Sequence, residues 1–421
     1  MPRWKRALFA AVTVLCALVL IEVVLRVAAL SNDRVSDLLA GSEVAPIPDP
    51  VLGSRPNPRR ADHDSEGWRN AERPDAAVIV AIGDSQTRGS GVARDHAWPQ
   101  RLEARTGYRT YNMAHPGYGG AQYWLLTDEA LGLTPDLVLV GFYAGNDLAD
   151  AYQSLYRDGL AAELRSLDPA VLSAIEQAEA NRPDPADGWL RTQRARGVSG
   201  SEVPRGGIVA TAERLKLYAL VQATRHTLRG LQSDKLETDW DRYVRRARDI
   251  DRDLLFPFRD GEVGTVLTPA ARWPVVDVSD PRIEEALRAT VDGFRRMRDR
   301  CAGSAEVAVV LIPTKELVYA ERVRASATPT PEAYDRLVES EERMWAEARA
   351  ALDVAGVPWI DTLGALRDAL ARGENPYQMN WDGHPNVVGY DGIAAAVAES
   401  DTIRRLASRR ARAGRATEEL P

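Results

Sequence analysis

The chain has 421 residues, 45% of them apolar, and 54 Lys and Arg against 61 Asp and Glu leave a formal net charge of -7. That balance excludes a disordered polyelectrolyte and argues against a nucleic-acid binder. Two cysteines, Cys16 and Cys301, supply neither a disulfide framework nor a Cys-based zinc site, and five histidines leave few candidates for imidazole chemistry.

Residues 7–30 form an apolar run of 24 residues broken only by Glu22 and Arg26. As a helix this run spans about 36 Å at 1.5 Å per residue, enough to cross a bilayer with some tilt. Arg3, Lys5 and Arg6 precede it, and by the positive-inside rule they keep the N-terminus in the cytoplasm. The expectation is a single-pass anchor in the cytoplasmic membrane, with the rest of the chain periplasmic or extracellular. Glu22 and Arg26 lie four apart on one helical face, where they can pair. A cleaved signal peptide is the rival reading, with Val27 and Ala29 as the small-residue site after an apolar core at 7–21. Leu15 before Cys16 argues against lipidation. Residues 31–75, rich in Pro, Asp and Arg, read as a polar linker.

Five short runs then read as buried parallel strands: 77–82, 110–113, 137–142, 307–312 and 357–360. Helical patterns occupy 98–106, 122–131, 331–352 and 391–407. This alternation predicts an α/β fold, a doubly wound three-layer α/β/α sandwich on a parallel five-stranded sheet. About 165 residues separate the third and fourth strands, far more than one crossover needs. Residues 151–281 therefore read as a largely helical insertion capping the sheet. Helices are expected over 150–180 and 212–255, a loop around 183–207, a hairpin within 265–278, and a helix over 282–300 that feeds the fourth strand. The chain thus divides into a stub and anchor (1–30), a linker (31–75), a catalytic domain in two parts (76–150 and 282–421) and the inserted cap. Six arginines within 404–415 read as a solvated helix end rather than a polyanion site.

In an open α/β sheet the ligand crevice lies beyond the carboxyl ends of the strands. The first strand ends in Gly83-Asp84-Ser85, which sets a serine hydroxyl on a strand-to-helix turn beside N–H groups suited to an oxyanion. The second is followed by His115-Pro116-Gly117-Tyr118-Gly119-Gly120, where glycines allow close backbone approach. The third is followed by Gly145-Asn146-Asp147, with an amide able to donate and a carboxylate able to brace the loop. A helix N-cap, an ordinary β-to-α turn and an Asx cap are the bland alternatives for these three. Near the C-terminus, Asn380-Trp381-Asp382-Gly383-His384-Pro385-Asn386 places a carboxylate two residues before an imidazole. A serine becomes a useful nucleophile when a base takes its proton and a partner fixes that base's tautomer. His384 and Asp382 can supply both.

Taken in order, the four segments resemble the SGNH, or GDSL-type, hydrolase superfamily, over 77–148 and 300–405. The resemblance implies Ser85 as nucleophile, His384 as general base and Asp382 as its orienting acid. It also implies an oxyanion hole made of the Ser85 and Gly117 N–H groups and the Asn146 amide. The family spaces its acid three residues before the histidine, whereas Trp381 stands there in this chain, leaving open whether Asp382 or a backbone carbonyl orients His384. The third block departs too, since Gly145 directly precedes Asn146. More loosely, the anchor, Ser65-Glu66-Gly67-Trp68-Arg69-Asn70 and Leu311-Ile312-Pro313-Thr314-Lys315-Glu316 look like membrane-tethered SGNH-like proteins, including those that acetylate exported polysaccharides. Lys315 and His115 are candidates for substrate binding, with a surface salt bridge and a buried turn residue as their respective alternatives.

The expected activity is serine-dependent hydrolysis of a carboxylester or acyl ester on a small molecule, lipid or glycan. It needs no metal and no organic cofactor. Two alternatives stand beside it: an O-acyltransferase that passes the acyl group to an envelope or exported polysaccharide, and a non-catalytic envelope binding protein on a hydrolase fold.

Overall fold

The computed structural model describes residues 2–31, 45–60, 62–195 and 239–418, which fall into two compact units. Residues 2–31, 45–48, 54–60 and 62–72 make up the first. Residues 49–53, 73–195 and 239–418 make up the second, so the described parts of the insertion belong to the same unit as the sheet.

In the first unit Arg3–Ser31 is one helix of 29 residues, with Arg26 Nε donating to Glu22 Oε1 at 2.9 Å as the i,i+4 spacing expects. No helix among the described residues is long and apolar enough to cross a membrane. In the 62–72 segment, Asp64 Oδ1 accepts from the Glu66 and Trp68 backbone N–H groups, closing an Asx-type turn.

The second unit is built on five parallel strands, β1 (Ile79–Gly83), β2 (Thr110–Ala114), β3 (Leu137–Tyr143), β6 (Glu306–Ile312) and β7 (Trp359–Asp361). They lie in the order β2-β1-β3-β6-β7. Every residue of β1, β2 and β3 is buried, the mark of a sheet covered on both faces. The helices Gly120–Leu125, Asp147–Tyr152, Pro281–Cys301 and Glu332–Val354 form one packed group, and Val387–Ala398 packs with both Trp98–Thr106 and Leu363–Ala371. This is the expected doubly wound arrangement. The chain runs from β1 outward to β2, then crosses back to β3, so the strand order reverses between β1 and β3, where open α/β sheets place their ligand crevice.

Within the insertion the antiparallel hairpin is β4 (Phe256–Asp260) with β5 (Val263–Leu267), not 265–278. Its two-residue turn is Gly261-Glu262, with Gly261 at φ +62, a position that favours glycine. Residues 269–276 form a helix instead, entered through Pro269 in its first turn. The expected loop around 183–207 contains the helix Asp187–Ala195. Of the helix expected over 212–255 only Asp239–Arg248 is seen, residues up to 238 lying outside the described residues. The last helical pattern is broken at Glu399 and Ser400 into Val387–Ala398 and Asp401–Glu418. Arginines of the final helix are paired rather than merely solvated: Arg405 and Arg409 with Glu306, and Arg410 with Asp136.

The turn after β1 is set by close packing. A Cβ on Gly83 would lie 2.1 Å from Thr87 Oγ1, and a Cβ on Gly141 of β3 would meet the same atom at 2.1 Å. Two glycines on adjacent strands thus leave the space into which the first helical turn, Ser85–Arg88, sinks Thr87. Gly83→Ala is expected to lower stability by about 1–3 kcal/mol, the usual range for overpacking, and to impair Ser85-dependent chemistry. Thermal unfolding of the variant beside the native chain checks this.

Candidate active site

Ser85 opens that one-turn helix, and Asp84 caps it: Asp84 Oδ1 accepts from the Gln86 N–H at 2.8 Å. The N-cap alternative and the nucleophile reading of this motif therefore both describe it, one residue apart. His384, 299 positions away, reaches Ser85 with Nε2 at 2.9 Å from Oγ. Its Nδ1 lies 2.6 Å from Asp382 Oδ1.

Asp382 Oδ1 also accepts from the His384 backbone N–H at 3.1 Å. The two-residue spacing is thus accommodated by an Asx turn through Gly383, and the carboxylate rather than a backbone carbonyl lies against Nδ1. Burial pushes the Asp382 carboxyl up, but hydrogen bonds and charge from His384, with the Lys315 charge, outweigh it and hold the group well below the usual carboxylate range. A carboxylate can only accept, so Nδ1 carries the ring proton and Nε2 is left to take one from Ser85.

The loop that carries this pair is fastened on several sides. Lys315, at the end of β6, is buried, and its Nζ donates to the carbonyls of Val266 (2.7 Å), Asp382 (3.0 Å) and Asn380 (3.1 Å). An ammonium has three protons, and three carbonyls take them. Lys315, a candidate for substrate binding with a surface salt bridge as its alternative, is thus placed as a clamp between the insertion hairpin and the His384 loop. Gln86 Nε2 donates to Gly383 O, Asn380 Oδ1 accepts from Asp382 N, and Trp381 stacks edge-on against Tyr243 at 4.4 Å. The position that breaks the family's spacing therefore anchors the loop in the insertion.

His115 is buried too, its ring edge-on to Tyr118 at 5.0 Å and its backbone N–H donating to Gly83 O. That placement fits the turn-residue alternative and not presentation to substrate. Gly117 is exposed at φ +81, a conformation that favours glycine.

Asn146 follows β3, and its Nδ2 donates to Asp150 Oδ2 at 2.6 Å and to Asp84 Oδ2 at 3.3 Å. Both amide protons are thus taken by carboxylates, and Asp84 Oδ2 also accepts from Ser85 Oγ at 3.2 Å. Asp147 braces the loop as expected, accepting from Tyr143 N and Tyr123 Oη. Burial pushes all three carboxyls up: Asp84 despite the Gln86 N–H, Asp147 with help from the Asp84 charge, and Asp150 to about 7 against the Asn146 hydrogen bond. Sequence reasoning missed Asp150 and the tie from Asp84 to Asn146. Asp150 stands four residues after Asn146 on a helix, a spacing that could have drawn notice. Among the described residues no group of three His, Cys, Asp or Glu side chains could hold a metal ion.

No protein-family model matches the chain, and no curated protein matches it. Three solved structures align with most of it at low similarity. An α/β hydrolase enzyme from the metagenome of Lake Arreo, Spain, is 12% identical, with 77% of this chain and 95% of that one covered at a TM-score of 0.32. TesA is 11% identical, with 78% and 98% covered at 0.32. The extracellular lipase from Streptomyces rimosus is 13% identical, with 76% and 98% covered at 0.36. Likeness at this level identifies no family.

Lys315→Met keeps the stem and removes the ammonium, leaving three carbonyls without their donor. Loss of about 3 kcal/mol of stability is expected, read by denaturant unfolding, together with a fall in any Ser85-dependent turnover. Asp150 makes a pH-dependent contribution. Its carboxyl is raised in the folded state, so its ionisation opposes folding, a penalty that is absent below the unfolded value near 3.8 and fully present above about 7. Asp150→Asn keeps an acceptor for Asn146 and should raise the melting temperature at pH 8 but leave it unchanged near pH 3.5.

Proposed function

We propose that the chain is a serine-dependent ester hydrolase of SGNH type. The observation that carries this reading is the continuous run of hydrogen bonds from Ser85 Oγ through the His384 ring to Asp382, at 2.9 and 2.6 Å. In this mechanism His384 Nε2 takes the Ser85 proton as Oγ attacks the ester carbonyl. Asp382 stays ionised and stabilises the imidazolium that forms. The tetrahedral oxyanion is held by the Ser85 and Gly117 N–H groups and the Asn146 amide, which exchanges a carboxylate for the oxyanion as charge develops. The imidazolium then protonates the departing alkoxide. Water, activated by His384 in turn, releases the acyl group and restores Ser85.

The same proposal places the enzyme on the outer face of a cytoplasmic membrane, held by the Arg3–Ser31 helix. Its support is the 7–30 apolar run behind Arg3, Lys5 and Arg6, with the only two charges inside the run paired to each other.

One experiment addresses both parts. The full chain is produced in a bacterial host, and salt-washed membranes are assayed with an aryl acetate and an active-site fluorophosphonate. Hydrolysis and labelling are expected in the membrane fraction, and Ser85→Ala should abolish labelling and cut turnover by about 10⁴-fold or more. Undiminished activity in Ser85→Ala would exclude the nucleophile assignment, and activity confined to the salt wash would exclude the anchor.

A further inference from the structure

Arg272 lies on the insertion helix Pro269–Val276, more than a hundred residues from either block of the site, yet its guanidinium stands where those blocks meet. Nη1 donates to Gly145 O at 2.7 Å, immediately before Asn146. On the other side, Nη2 is 2.7 Å from where a Cβ on Gly383 would lie, between Asp382 and His384. The cation is seated between two rings, with Cζ 5.7 Å from the centroid of Tyr143 and 5.6 Å from that of Trp189. Trp189 is brought there by Gly188, at which a Cβ would come within 1.7 Å of Ala270 O. Only a glycine lets the Asp187–Ala195 helix approach Arg272's own helix so closely.

The seating is specific, but the donors are not used up. A guanidinium has five N–H groups in a planar fork, and among the described residues Arg272 makes one hydrogen bond and no ion pair. The carboxylates that feel its charge, Asp84, Asp150, Asp382 and Glu316, are engaged elsewhere: with Gln86 and Ser85, with Asn146, with His384 and with Thr268. Among the described residues the buried Tyr143 hydroxyl has no hydrogen-bond partner, and it lies close to Gly145 and Gly383. A half-buried cation with free, fork-shaped donors is costly to keep unless something else occupies them.

We propose that Arg272 is the specificity residue of this site and takes an anionic group of the ester substrate, a carboxylate or a like-charged oxyanion near the scissile bond. The inference rests on the ester-hydrolase reading. It adds that charged esters are the preferred substrates and that the insertion, not the sheet, selects them.

The test uses matched ester pairs. Mono-4-nitrophenyl succinate against 4-nitrophenyl butyrate puts the charge on the acyl side, and 4-acetoxybenzoate against phenyl acetate puts it on the alcohol side. In one of the two arms the native enzyme should favour the charged ester by 10-fold or more in kcat/KM. Arg272→Gln should bring that ratio close to one, and Arg272→Lys should restore part of it. The ratio is the readout, because a merely structural role would lower both members of a pair together. Equal turnover of charged and neutral esters by the native enzyme in both arms, or a ratio that survives Arg272→Gln, overturns the proposal. If no ester is turned over, the hydrolase reading fails on its own, and the anion site is judged by succinate alone. A rise in melting temperature with succinate that Arg272→Gln removes upholds the site, and no rise overturns it.

Discussion

The geometry of this site depends on one buried ammonium. Lys315 sits where β6 gives way to a helix, and its three protons are shared among Val266 of the insertion hairpin and Asn380 and Asp382 of the His384 loop. A loop that must hold an imidazole within 3 Å of a hydroxyl on another strand cannot be left to its own conformational freedom, because each unfixed residue carries about 1–2 kcal/mol of entropy. The ammonium removes that freedom at the two positions flanking Trp381, and it also helps keep Asp382 ionised. A single charge thereby serves both the shape of the loop and the electrostatics of the Asp382–His384 pair it carries.

From that clamp outward, the insertion is part of the site. Val266 accepts from Lys315, Tyr243 packs against Trp381, and Arg272 donates to the carbonyl that precedes Asn146. Three separate stretches of the insertion thus touch three of the loops that crown the sheet. Removing it would take the Val266 carbonyl from Lys315 and the Tyr243 ring from Trp381, leaving the His384 loop tied to Lys315 alone on that side. The reverse dependence holds as well, since the small cluster of Ala247, Leu255 and Val266 is completed by Trp381 from the loop.

The sheet was legible in the sequence because a parallel strand buried on both faces leaves an unbroken apolar run, as 77–82, 137–142 and 307–312 do. The positions of Ser85 and Asn146 were legible for a related reason: each follows a strand at its carboxyl end, so strand recognition carries loop recognition with it, whereas His384 was marked by the carboxylate two residues before it in a Gly- and Pro-bearing loop. What lay beyond reach depended on contacts between distant segments. Lys315 and Arg272 are two polar residues whose roles are decided by carbonyls 49 and 127 positions away, and nothing in their own neighbourhoods announces those partners. The hairpin was misplaced because the apolar pattern of 265–278 continues from a strand into a helix, and its boundary is written only in Thr268-Pro269 and in the Gly261-Glu262 turn before it. Trp381 was read as a break in a catalytic spacing, when its neighbours show it to be an anchor.

The electrostatics of the site follow from how its carboxylates are arranged. Asp84, Asp147 and Asp150 lie close together, and burial raises all three, so full ionisation of the group is opposed by desolvation and by mutual repulsion. Asn146 bridges two of them with its only two amide protons. For that amide to serve an oxyanion, a new negative charge must compete with one already present, and the exchange is favourable only if the carboxylate it leaves is protonated or otherwise compensated. The Asp150 carboxyl, titrating at about 7, can take up a proton in the ordinary working range, whereas Asp382, held low by His384 and Lys315, cannot. Two carboxylates within one site are thereby pushed in opposite directions by their neighbours, one toward neutrality beside Asn146 and the other toward permanent charge beside His384, and in the proposed mechanism this separation would let a single site stabilise an anion and an imidazolium together.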